Sequence, residues 1–391
     1  MVKKVLGQWP HYSAEEINKV SDVLKSNKVN YWTGEQGKNF EKEFAKYVGT
    51  KHAIALANGT LALELALKVL DLKKDDEVIV TPRSFIASVS CIVNAGAKPI
   101  FADVSPDSGN ITEESIKKVL TDKTKAIICV HLAGWPCDMD PILHLAQKRN
   151  LYVIEDCAQA HGTIYKGRAV GSIGHIGCWS FCQDKIMSTG GEGGMVVTDD
   201  RILWQRMWEY KDHGKNYDAV YKKEHPPGFR WLHESFGSNF RMTEIQSVLG
   251  KHQLKLLDGW IERRNINAEI IKKVCDRFPS ILRTPTPSPD IRHAYYKFYT
   301  YLKPDGLKSG WNRQKLIQEI NSYGIPCLEG SCSEIYREVA FDKTNFRPQK
   351  RLKVAEELSE TSIAFLVHPT LSESDLDYTC EILTKVFTEV S

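Results

Sequence analysis

No stretch of this 391-residue sequence approaches the roughly 18–20 consecutive apolar residues that a membrane-spanning helix needs. The opening MVKKVLGQWPHYS carries two lysines but no apolar run behind them, so a secretory leader is not expected. Neither charge sign is in surplus: 52 Lys and Arg against 49 Asp and Glu leave a formal net charge of +3. A balance that even offers no electrostatic basis for binding nucleic acid or an anionic membrane. The ten cysteines form no CxxC pair, and the short pairs Cys178/Cys182 and Cys327/Cys332 lack the second pair of ligands a zinc site requires. Several lie in apolar runs such as AIICV, where a thiol behaves as a small hydrophobe; they read as reduced cysteines of a cytoplasmic protein with no metal site. The sequence also lacks a GxxxxGK[ST] loop, a GxGxxG after its first strand, internal repeats and a helix-turn-helix segment.

What remains is an ordinary globular composition, 42% hydrophobic and 26% charged, in a chain long enough for two domains. An amphipathic stretch from Ala14 to Asn27 and FEKEFAKYVG, ending at Gly49, predict two opening helices. Then AIAL, EVIV, PIFADV, AIICVHL, YVIEDC and GGMVVTDD recur as short apolar strands separated mostly by helical segments. That alternation predicts an α/β fold with a large, mostly parallel sheet covered by helices on both faces. Beyond residue 250 the long charged helix pattern EIQSVLGKHQLKLLDGWIERRNINAEIIKKV, the proline-rich TPTPSPD and few strands predict a smaller α+β domain. The division is therefore placed at residues 1–250 and 251–391. Parallel sheets bind ligands beyond the carboxyl ends of their strands, so chemistry is sought after AIAL, EVIV and YVIED and within SFCQDK.

Four features lie there. Asn58-Gly59-Thr60 sits between a strand and a helix, where backbone N–H groups can receive a phosphate, although such a turn is more often a plain helix cap. Glu155-Asp156 closes a strand, with Gln159 and His161 behind it; a carboxylate there can meet a protonated ring nitrogen or merely cap the next helix. Ser180-Phe-Cys-Gln-Asp-Lys185 leads into Ser-Thr-Gly-Gly-Glu-Gly-Gly, where a lone lysine beside glycines suits a phosphate anchor or a Schiff-base amine. Asn239-Phe240-Arg241 precedes a helix and on its own reads as a surface turn.

The order of these pieces, extended by FEKEFAKYVG, ANGTLALELAL, DDEVIVTPRSFIAS, AGAKPIFADV, EDCAQAHGTIYKGRAVGSIG, GEGGMVVT and NFRMTEIQ, resembles the DegT/StrS-type pyridoxal-phosphate sugar aminotransferases across nearly the whole chain. The resemblance implies the aspartate aminotransferase fold, pyridoxal 5'-phosphate as cofactor and pyridoxamine 5'-phosphate as its aminated form. It makes Lys185 the lysine that binds the cofactor covalently and then shuttles the proton. Asp156 would pair with the pyridinium nitrogen, Gln159 lie near the 3-oxygen and Phe85 stack on the ring. Gly59, Thr60 and Ser180 match the phosphate cup, and Asn239 falls where the family reaches a partner subunit's cofactor, implying a homodimer with shared sites. His131 and His213 match family positions too and read as structural. One departure stands out: the usual Lys-x-x-x-Thr-Gly-Glu-Gly-Gly is one glycine longer here, which leaves Lys185 in register with Ser180 but unsettles Glu192. The segment EGSCSEIYREVA, Glu329 to Ala340, also departs from the family's histidine-containing pattern and reads equally as a sugar-pocket wall or a surface helix start.

The implied reaction moves an amino group from L-glutamate to a nucleotide-linked keto-sugar, with a UDP-4-keto-6-deoxy-N-acetylhexosamine preferred, for bacterial surface polysaccharides such as lipopolysaccharide O-antigen. Relatives that act as 3-dehydratases carry histidine at the lysine position, so Lys185 favours transamination over that alternative. A non-enzymatic regulator is the remotest reading, since no DNA-binding element is evident.

Overall fold

The computed structural model describes residues 4–225, 228 and 230–391. Two helices open the chain, α1 (Ala14–Lys25) and α2 (Gln36–Val48). Ser13 and Glu16 cap α1 reciprocally, and Gly49 ends α2 at a φ of 86°, a turn that favours glycine. Next come β1 (His52–Leu56), α3 (Gly59–Lys68), β2 (Glu77–Val80), α4 (Ala87–Asn94), β3 (Lys98–Phe101) and α5 (Glu113–Lys117). They are followed by β4 (Thr124–Val130), α6 (Met139–Arg149), β5 (Tyr152–Asp156), β6 (Ile164–Tyr165), β7 (Arg168–Ala169), β8 (Ile176–Ser180) and β9 (Gly194–Thr198). Helices α7 (Arg201–Lys211), α8 (Tyr217–Tyr221) and α9 (Glu244–Cys275) lead to β10 (Leu282–Arg283), β11 (Ile291–Arg292), β12 (Phe298–Leu302) and α10 (Arg313–Ser322). The chain finishes with β13 (Cys327–Leu328), α11 (Lys353–Thr361), β14 (Ser362–Phe365) and α12 (Glu373–Val390).

Seven strands form the large sheet in the order β1-β9-β8-β5-β4-β2-β3. Every neighbouring pair is parallel except those involving β9, which runs antiparallel to both β1 and β8. The apolar runs alone do not reveal this reversal. Its cause is the connection 181–193, which holds no helix: without a crossover element a chain can only return antiparallel. The lysine and the glycines sit in that return loop.

Alternation along each strand feeds two cores. Ala55, Ile79, Ile127, Cys129 and Val153 face α2 and the first half of α9, while Ile54, Val78, Val80, Ile128 and Ile154 face α3, α4 and α7. Helix α9, about 48 Å long at 1.5 Å per residue, buries Leu254, Leu257 and Ile261 in the first of these cores. Its second half buries Ala268, Ile271 and Val274 in a third core, beneath the antiparallel sheet β10-β12-β14-β13. The long helix thus holds the small sheet over the carboxyl edge of the large one. Among the described residues no helix is long and apolar enough to cross a membrane.

Candidate active site

Because β1, β2, β4, β5 and β8 run the same way, the loops after Leu56, Val80, Val130, Asp156 and Ser180 emerge at one edge. They surround a cavity of about 840 Å³ whose far wall is built by Tyr296, Lys297 and residues 330–338. The volume suits a ligand larger than an amino acid, within the usual range for cofactor and substrate clefts. Seven of the eight residues singled out from the sequence line it: Gly59, Thr60, Phe85, Asp156, Gln159, Ser180 and Lys185.

The turn after β1 makes the first wall. Asn58, in extended backbone, caps α3 by accepting the Leu61 N–H at 2.9 Å, which leaves the earlier donors of the turn outside the helical ladder. A Cβ on Gly59 would lie 2.5 Å from the Ser180 Cβ, so only glycine lets the Ser180 hydroxyl sit against this helix start. N–H groups, a hydroxyl and a helix N-terminus together make an anion cradle.

Asp156 and Glu155 part company, as consecutive strand residues must. Glu155 turns away and is consumed by structure: His131 Nε2 lies 2.9 Å from it, and the N–H groups of Gly171, Ile173 and Gly174 donate to it. His131 Nδ1 accepts the Cys137 N–H, so this ring is a strut. Asp156 turns to the cavity, where Ser88 Oγ donates at 2.7 Å and the Ala158 N–H at 3.1 Å. Burial pushes its carboxyl up; the Ser88 hydroxyl, the Ala158 N–H and the Lys185 charge offset that only in part. A buried carboxyl in that condition wants a cation, which is what a protonated ring nitrogen supplies. Beside it, Gln159 commits its carbonyl oxygen to the Ala133 N–H at 2.8 Å, leaving its NH2 group for the cavity.

Lys185 reaches in from the return loop. Its Nζ lies 3.5 Å from Asp184 and 4.9 Å from the centre of the Tyr296 ring, and Tyr296 donates its hydroxyl to Asp184. Burial alone would raise the Asp184 carboxyl, but the Lys185 charge and the Tyr296 hydroxyl hold it below the ordinary range. Phe85 is 68% exposed at the rim, an apolar ring with an open face toward the cavity. The glycine-rich stretch after the lysine turns at Gly190 and Gly191, with φ of 82° and 119°, a conformation that favours glycine, and Lys185 lines the cavity. Glu192 stays on the cavity wall, its carbonyl held by Thr189 and Gln246. Gly330, Ser331, Cys332, Ile335 and Glu338 also line the cavity, so the divergent 329–340 segment is a pocket wall.

Asn239 is the residue that does not join. It is exposed, pairs with Asp212 through a backbone bridge, and lies outside this chain's own cavity; His213 is exposed beside it. Sequence reasoning missed Ser88, Tyr296 and Lys297. Ser88 follows Phe85 by three residues at the start of α4, a spacing that would have flagged it, whereas nothing in the sequence ties Tyr296 to a lysine so far away.

These features fit a flat, phosphorylated pyridine ring: an anion cradle at one end, a cation-seeking carboxyl at the other, an aromatic rim and a lysine between. The comparisons agree. The model of the DegT/DnrJ/EryC1/StrS aminotransferase family matches residues 10–384. GDP-perosamine synthase of Escherichia coli O157:H7 is 34% identical over 97% of this chain and 98% of its own length. Spore coat polysaccharide biosynthesis protein SpsC of Bacillus subtilis (strain 168) is 37% identical over 81% and 80%. A solved aminotransferase structure from Psychrobacter cryohalolentis is 58% identical, covers 98% of this chain and 99% of that one, and superposes with a TM-score of 0.97.

Proposed function

The chain belongs to the DegT/DnrJ/EryC1/StrS aminotransferase family, fold-type I enzymes that use pyridoxal phosphate, and from that premise we propose that it aminates a nucleotide-linked keto-sugar with L-glutamate as donor. The observation that carries the reading is the meeting of Lys185, Asp156, Phe85 and the Gly59–Ser180 cradle in one cavity.

Pyridoxal phosphate supplies an electron sink that lets a C–H bond beside a nitrogen ionise. The protein residues do the rest. Gly59, Thr60 and Ser180 bind the phosphate at the α3 N-terminus, and Asp156 keeps a proton on the ring nitrogen. Phe85 would offer an apolar face to the ring, and Gln159 would offer its NH2 group. Lys185 would hold the cofactor through its Nζ and, with its amine free, would move one proton between carbons. Tyr296 and Asp184 keep that amine pointed into the cavity between turns.

The acceptor is a 4-keto-6-deoxy or 3-keto sugar on a nucleoside diphosphate, made for surface polysaccharide. A UDP-linked 4-keto-6-deoxy-N-acetylhexosamine is the first candidate. A GDP-linked 4-keto-6-deoxy sugar is the second, favoured by likeness to GDP-perosamine synthase. The test takes the holoenzyme through the two halves separately. Glutamate alone should bleach the visible absorbance of the bound cofactor, and the correct sugar nucleotide alone should restore it. A spectrum indifferent to glutamate sinks the proposed donor, and failure of every keto-sugar nucleotide to restore it sinks the acceptor.

Asn239 belongs to the same proposal as a residue that serves the partner subunit's cradle. Asn239→Ala should weaken cofactor retention about tenfold, roughly 1.4 kcal/mol, measured by equilibrium dialysis. Mixing and refolding Asn239→Ala with Lys185→Ala should then regain activity, because the hybrid dimer contains one site with both residues intact. No regain would mean the sites are not shared.

A further inference from the structure

We propose that Trp9 is a positioning residue for Lys185, acting through the lysine's own carbonyl; the proposal rests on Lys185 being the reacting amine. The return loop 181–193 has no regular structure, so where the Lys185 side chain starts depends on what pins its backbone. Its N–H reaches the Cys182 carbonyl at 3.0 Å within the same loop. Its carbonyl is held from outside, by the Trp9 indole N–H at 2.8 Å. Three residues on, the Ser188 hydroxyl accepts from the Tyr12 hydroxyl at 3.1 Å and the Ser188 N–H donates to Gln253 at 2.8 Å. The lysine loop is thus tied down by an N-terminal strap.

That strap takes its own position from α9 and the small-sheet unit. Trp9 packs edge-on against Trp260 of α9 at 5.0 Å between ring centres and lies nearly parallel to His368 at 6.3 Å. The Arg264 guanidinium sits 5.3 Å from its ring. Upstream, Lys4 pairs with Asp375 at 3.1 Å, the Gly7 N–H reaches the same carboxylate, and Thr370 donates to the Gln8 carbonyl at 2.8 Å. A ring clamped on several sides and carrying a single donor is a rigid fixture, and its donor points at the one carbonyl that belongs to the reacting residue. Packing alone would need an aromatic ring there, not a donor. Displacing a reacting group by about 1 Å can cost on the order of 100-fold in rate. A partial loosening should cost less.

Trp9→Phe keeps an aromatic ring, smaller than the indole, and deletes the donor. In the holoenzyme kcat should fall about tenfold while KM for glutamate and for the sugar nucleotide stays within about twofold, the pattern of an interaction used in the reaction and not in binding. In the cofactor-free protein, amide exchange in a peptide covering 183–189 should quicken about tenfold, with α9 and α12 unchanged. Tyr12→Phe removes the second tie alone; it should give the same exchange pattern and a kcat loss of about two- to threefold, and it decides the matter if Trp9→Phe does not fold. An unchanged kcat, an unchanged loop exchange, or faster exchange spread over the whole chain overturns the proposal. Borohydride trapping followed by peptide mass analysis separates this from the underlying reading: cofactor trapped on a residue other than Lys185 refutes the role of Lys185 itself, whatever Trp9→Phe does.

Discussion

Lys185→Ala should lower turnover by at least about 10⁴-fold, the upper end of what one acid–base group contributes, because the same amine also makes the covalent link to the cofactor. Lys185→Arg should lose as much. A guanidinium preserves the charge next to Asp184 but neither attacks a carbonyl carbon nor releases a proton near neutral pH. The fold should barely notice either change. The ion pair with Asp184 spans 3.5 Å, and the Asp184 side chain is 59% exposed, so the contact is worth no more than about 1 kcal/mol. Single-turnover formation of the aminated sugar, measured beside a melting curve, separates the two effects. Wild-type turnover in either variant would remove Lys185 from the chemistry.

The parts of this protein that were legible in its sequence are those fixed by local rules. Strands β2, β4 and β5 announce themselves as apolar runs, β2 closed by Thr-Pro and β5 by acidic residues, since buried parallel strands are apolar on both faces; β1, which pairs with antiparallel β9, is as apolar and is followed by Asn-Gly. Their carboxyl ends then predict where Gly59, Phe85 and Asp156 assemble, the SFCQDK segment adds Ser180, and the structure brings those residues together. What stayed hidden depends on distance in sequence. Tyr296 meets Lys185 only because α9 carries the small sheet back over the large one, and Trp9 meets it only because the strap runs under residues 368–375. The reversal of β9 was equally invisible, since its apolar run reads like a parallel strand until the connection before it is known to lack a helix. Of the Glu155-Asp156 pair, the residues alone left two candidates and the family resemblance chose Asp156; strand alternation in β5, with Asp156 level with Val130 and Cys178, turns Asp156 to the cavity and Glu155 away from it.

Asp156→Asn should separate activity from stability in opposite directions. In the cofactor-free protein burial raises the Asp156 carboxyl above its unfolded value, so the unfolded chain releases this proton first as pH rises. Ionised Asp156 therefore disfavours the folded state above that range, and a neutral amide of the same shape escapes the penalty. The Ser88 hydroxyl, which also lies 2.9 Å from the Ser84 hydroxyl, can rotate to accept from the new NH2 group. The cofactor-free variant should accordingly melt above the wild type at pH 7, and the difference should shrink as the pH falls and the wild-type carboxyl becomes protonated. With cofactor bound the order reverses, because the carboxylate then faces a ring N–H whose charge an amide does not balance. Turnover should fall about 10²–10³-fold, the usual cost of deleting a preorganised charge partner at a reacting centre, with the covalent link to Lys185 retained. A variant that melts lower without cofactor would make Asp156 a structural carboxylate; one that melts higher but turns over normally would leave the ring nitrogen without need of it.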